Sequence, residues 1–166
     1  WAAYLSTSIW VTYSRFPPQG LENGMTDTAN FQIEQNDREL AASFAPPVVR
    51  ARLGAFQAWV REIEQIPYKA TEPAILAMRF AWHRDAVADL FASPAKVRRH
   101  DAYEGLAQQA QEADCPDAAE LVRIIDAAED GLDPTKLTDI ATLVQIIDAQ
   151  SGGAMRVADR LAGGVA

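Results

Sequence analysis

With 166 residues, 49% hydrophobic and 23% charged, the chain is long enough to bury a core and too apolar for a disordered segment. Its formal net charge of −8 repels phosphate backbones and anionic headgroups, which excludes nucleic-acid binding through bulk electrostatics. A single cysteine, Cys115, excludes an intrachain disulfide and fits a reducing, intracellular compartment.

Residues 1–24 form an aromatic arm or extension. Its apolar stretch, Trp1 to Phe16, is interrupted by Ser6, Thr7, Ser8, Thr12, Ser14 and Arg15, and no basic leader precedes it. It therefore reads neither as a membrane span nor as a signal peptide, and no other run is long enough to cross a bilayer. The chain opens on Trp1 rather than Met, so residue 1 is not expected to be a native start, and Met25 is a candidate for one. The aromatic side chains Trp1, Tyr4, Trp10, Tyr13 and Phe16 suit free solution poorly and are candidates for an interface. The run 17–36 is rich in Pro, Gly, Asn and Thr, so residues 25–36 are a linker and a helical domain occupies 37–166.

Asp37 is placed to cap a short helix running to Phe44 and ending at Pro46-Pro47, with Pro47 in the first turn of the next. In that next helix Val49, Leu53, Phe56, Val60 and Ile63 form one stripe, stopped by Pro67. A third helix from Glu72-Pro73 to Phe91 carries two stripes, Ile75/Met78/Trp82/Ala86 and Leu76/Phe80/Val87/Leu90, which predicts a central helix covered over most of its circumference. A more polar helix is expected over Asp101 to Ala113. The next runs from Ala118 to Glu129 with Leu121, Ile124, Ile125 and Ala128 inward, closed by Gly131 and Pro134. The last carries Leu137, Ile140, Val144, Ile147, Ser151, Ala154, Ala158 and Leu161 in unbroken three–four alternation. Gly152-Gly153 sits in its middle, a pair that permits a bend or the close approach of a neighbour. No strand is expected after residue 36: the fold class is all-α.

Candidate chemistry is sparse. Arg79 interrupts the first stripe of the third helix and needs a partner: an anion in a cavity, a core carboxylate such as Asp126 or Asp148, or water reached by snorkelling. His83 lies one turn on and is either a ligand or base, or a histidine satisfied on a helix flank. Two pairs, Asp85/Asp89 and Asp126/Asp130, each place two carboxylates on one helical face, as metal donors or as solvated surface. Asp126 and Asp130 are the metal candidates. Cys115 has no acid or histidine beside it to activate it, and Arg98-Arg99-His100 is a short basic turn. No zinc spacing, phosphate loop or nucleophile elbow is present.

From Asp37 onward the chain resembles the squalene/phytoene synthase family. The resemblance is carried by DRELAASFAPPVVRARLGAFQAWVREI (37–63), EPAILAMRFAWHRDAVADLF (72–91), RRH (98–100), LVRIIDAAEDGL (121–132) and TLVQIIDAQSGGAMRVADRLAGG (142–164), in collinear order. It is most similar to the subgroup that holds a mitochondrial complex I assembly factor and its bacterial relatives. The resemblance implies a helical isoprenoid-synthase-like fold around a central cavity. It also implies, for active members, head-to-head joining of prenyl diphosphates with Mg²⁺ held by two aspartate-rich motifs.

The first of those motifs falls, by the resemblance, on residues 56–67. Here that stretch reads FQAWVREIEQIP and offers only Glu62 and Glu64, two apart and diverging. The second would come after the glycine-containing helix, beyond Ala166. The expectation is therefore a non-catalytic relative without a cofactor that acts through a protein partner, in the assembly of respiratory complex I or as its accessory part. The compartment would be bacterial cytoplasm or mitochondrial matrix, with any membrane association made through that partner. Two alternatives stand beside it: a Mg²⁺-dependent prenyl-diphosphate transferase whose C-terminal half lies outside this sequence, and a relict that binds an isoprenoid or quinone.

Overall fold

The computed structural model describes residues 37–110 and 115–164. The chain divides into two compact units, residues 1–41 and 42–166. Every described element is helical or a turn, with no strand among the described residues.

Residues 37–43 are helical (α1), and because residue 37 already lies in the helix, Asp37 is not its cap. In the second unit α2 spans Pro47–Glu64 and opens on a proline, whose missing N–H costs nothing in a first turn. Pro67 does not simply stop it: the helix closes at Gln65, and Pro67 sits in the first turn of a four-residue helix, α3, Ile66–Lys69. α4 spans Pro73–Leu90, α5 Asp101–Gln109 and α6 Ala118–Asp130. α6 begins with a capping box in which Asp117 accepts from the Glu120 amide at 2.7 Å and Glu120 accepts from the Asp117 amide at 3.0 Å. Its end is ordinary right-handed backbone at Gly131, φ −65°, rather than a left-handed cap.

The core is built by α2 and α6, with α5 and α8 packed against the first and α4 along the second. α2 contributes Leu53, Phe56, Trp59, Val60 and Ile63. Trp59, fully buried, lies outside the stripe expected from sequence although it comes three residues after Phe56. α4 corrects another expectation: it is not covered on most sides. Phe80, His83, Ala86, Val87 and Leu90 are buried, whereas Ile75 and Met78 are exposed. Ile75 and Met78 lie outside the packing that Trp82 and Ala86, later in the same stripe, share with the core. The polar helix α5 also ends earlier than expected, at Gln109.

The last helix departs furthest from its pattern. α7, Ile140–Ile147, and α8, Gly153–Leu161, are separated by a π-helical turn, Asp148–Gly152. A π turn takes up about one residue more than an α turn, so it rotates α7 by roughly 100° relative to α8. In α8 the stripe residue Leu161 is buried together with Val157, while in α7 Ile140 and Val144 face solvent and no residue is buried. The glycine pair does permit a close approach. A Cβ on Gly153 would stand 3.4 Å from Ile124 of α6.

Candidate functional site

The sequence offers two acidic pairs, and α4 and α6 present both at helical spacing. Each is then divided among cations. Asp89 receives Arg98 Nε at 2.9 Å, while Asp85 remains on the exposed face. Asp126 receives Arg84 Nε at 2.6 Å, and the other arm of the Arg84 guanidinium binds Glu129. Asp130 is bonded to Lys136 from the next turn. Burial works against the charge on Arg84, but its bonds to Glu129 and Asp126 outweigh that and hold it firmly protonated.

Arg84 has no stripe or motif to mark it in the sequence. The only trace is the i, i+3 spacing of Asp126 and Glu129, which suits a forked cation. Of the partners open to Arg79, Asp126 is held by Arg84 and Asp148 by Arg156. Arg79 itself is exposed. Replacing Arg84 by Ala should lower stability to urea by about 1 kcal/mol, since the side chains in these pairs are roughly a third to a half exposed and the pairs are screened. Arg84→Lys should recover less than half of that, because an ammonium cannot fork.

The helix matched by resemblance to a metal motif is likewise occupied. Glu62 accepts from Lys69 Nζ at 3.0 Å and stands 3.8 Å from His100 Nε2. Among the described residues no three His, Cys, Asp or Glu side chains converge on a point. A diphosphate-bridging Mg²⁺ cluster takes several carboxylate oxygens in octahedral geometry, and this donor set does not fit one.

The second candidate region surrounds His83. Its ring is buried, and Nδ1 lies 2.8 Å from Tyr103 Oη. That hydroxyl also lies 3.2 Å from the His83 carbonyl. The hydroxyl has one proton to give, so which of the pair donates across the 2.8 Å contact depends on the imidazole tautomer. Burial, then Coulombic repulsion from His100, drives the His83 pKa down to about 4. Lys69 and Arg79 push the same way and Glu62 opposes them. Burial also raises the Tyr103 phenol. Both groups are therefore neutral at pH 7 and hydrogen-bonded to each other.

Trp82 packs edge-on against His83 and Tyr103, with Arg98 5.1 Å above its ring. His100 caps α5, its Nδ1 accepting from the Ala102 amide. The 91–100 connection is thus stitched to α4 by Arg98, which also reaches the Trp82 carbonyl, and by the Lys96 amide bonded to the Asp89 carbonyl at 2.8 Å. Arg98 and His100 are consumed in that stitching rather than offered as a basic patch. Cys115 is half-buried, with its thiol directed at the Pro116 carbonyl. The interface candidates Trp1, Tyr4, Trp10, Tyr13 and Phe16 lie outside the described residues.

Between α6 and α7 runs an open groove of about 400 Å³, lined by Arg123, Asp126, Asp130, Lys136, Thr142 and Ile146 among others. Its two carboxylates are those already bound by Arg84 and Lys136, so it presents mixed, largely neutralised charge. No described helix is long and apolar enough to cross a membrane.

Among protein families, the sequence model for squalene/phytoene synthase matches residues 34–161. Among curated proteins and solved structures, nothing matches the chain.

Proposed function

Because the chain belongs to the squalene/phytoene synthase family and its described elements are helical as that fold requires, we propose that it is a non-catalytic member acting through a protein partner. Its setting in this reading is the assembly of respiratory complex I, or an accessory place within that complex. One observation supports this above the others: four of the acidic side chains that spacing or resemblance offers to Mg²⁺ are bonded to cations of the chain itself. Arg84 holds Asp126, Lys136 holds Asp130, Arg98 holds Asp89 and Lys69 holds Glu62. Ionising an allylic diphosphate needs those oxygens free for metal. The assembly role rests on the subgroup resemblance of residues 37–164.

The test is made on the full gene product in its own cells. Removing the gene should lower the amount of assembled complex I, and returning it should restore that amount. The purified protein should not consume farnesyl or geranylgeranyl diphosphate when Mg²⁺ is added. Magnesium-dependent turnover, with complex I at its normal level in the deletion strain, overturns the reading in favour of a prenyl transferase.

A further inference from the structure

The sequence between Ile140 and Leu161 is phased for one helix, and the structure contains a different one. At 100° per residue, Ile140, Val144, Ile147, Ser151, Ala154, Ala158 and Leu161 fall within about 100° of arc if every turn is an α turn. The π turn at Asp148–Gly152 breaks that phase. The result is an uncharged helix, IATLVQII, with Ile140 79% and Val144 56% exposed. Thr142, Ile146 and Ala149 instead face α6 across the groove.

We infer that residues 140–161 form a register switch, with the π turn holding one of two helical phasings of this segment. In the other the turn closes to α and α7 rotates by roughly 100°. Ile140 and Ile147 then swing toward the core side and Thr142 swings away from it. Three features of this turn carry the inference. Its last residue and the next are the glycines Gly152 and Gly153, which lower the cost of changing backbone geometry there. Arg156 grips both the Asp148 carboxylate, at 3.0 Å, and the Asp148 carbonyl, at 3.2 Å, bracing one end of the turn against α8. Gly152 also lies beneath that brace: a Cβ there would stand 2.6 Å from Asp148 Oδ1 and 3.2 Å from Arg156 Nη1. α7 meets only α6 and the π turn to any extent, so few contacts resist its rotation. The switch stands independently of the proposed function.

Thiol labelling on the whole chain tests it, with Cys115→Ser removing the native thiol and one reporter introduced at a time, Ile140→Cys or Thr142→Cys. Each reporter is measured in three backgrounds: the parent, a deletion of Gln150 that removes the extra residue, and Gly152→Ala, which displaces the brace. In the deletion background labelling at 140 should fall and at 142 should rise, each by about tenfold, as the two positions exchange environments. Gly152→Ala should move both in the same directions by a smaller factor. A helix that merely loosened would raise both rates together, and that outcome overturns the proposal, as do unchanged rates in a folded deletion variant. If the deletion prevents folding, as circular dichroism would show, Gly152→Ala decides alone. Opposite shifts at the two sites support the switch, and parallel or absent shifts refute it.

Discussion

Truncating Trp59 to alanine should cost about 4 kcal/mol of unfolding free energy, a large share of what a domain of this size possesses. Its side chain is fully buried and stacks on Phe56 at a centroid distance of 6.0 Å. It sits on α2, the helix that meets α5, α6 and α8, so no single neighbour can move to fill the space. The indole N–H sharpens the expectation. It is buried near Tyr103 but makes no well-formed hydrogen bond, so its removal orphans no acceptor and the loss is one of contacts and cavity alone. Trp59→Phe should accordingly cost only about 1 kcal/mol, because the ring is largely replaced and an unsatisfied donor disappears. Urea denaturation of the two variants separates these terms. A loss under about 2 kcal/mol for alanine would mean that the α2 face collapses more readily than its packing implies.

Acidification should be the second large effect. His83 is held near pKa 4 in the folded chain and returns to about 6.5 when unfolded, so the unfolded state binds the extra proton between those values. The contribution is complete above pH 6.5 and is lost as pH falls toward 4. Linkage puts the loss at about 2 kcal/mol by pH 5 and about 3 kcal/mol by pH 4. Few carboxylates titrate between pH 7 and 5, which isolates the histidine. In His83→Asn a non-titrating amide takes the place of Nδ1, so stability should be nearly flat over that interval though lower at pH 7. A wild-type curve as flat as the variant's would contradict the burial of the ring.

Much of the fold was legible because helices announce themselves through punctuation. Pro47 and Pro73 each open an element, at positions where a missing N–H is harmless. What periodicity could not supply was the partner for each stripe. Ile75 and Met78 belong to a helical stripe just as Phe80 and Val87 do, yet only the second pair is buried against another helix. In the last helix the alternation is unbroken in sequence, and one wide turn undoes it in space, because spacing counts residues and packing counts rotation.

Of the candidate site, the sequence supplied the acids but not their fate. Asp126 and Asp130 were visible as a pair, whereas the cations that divide them, Arg84 and Lys136, lie 42 and 6 residues away from their respective partners. A long-range ion pair leaves no local pattern. His83 was legible as a choice between ligand or base and satisfied ring, but its hydrogen-bond partner, Tyr103, lies 20 residues on and was not legible.

The stitching of Arg98 across Trp82 has an optical corollary. An indole with a guanidinium above its face and a carbonyl gripped by the same side chain emits differently from one sealed in hydrocarbon, as Trp59 is. Of the chain's four tryptophans, Trp82 and Trp59 are therefore separate reporters, one of the seam between α4 and the 91–100 connection and one of the interior, and their signals need not change together as the chain is perturbed.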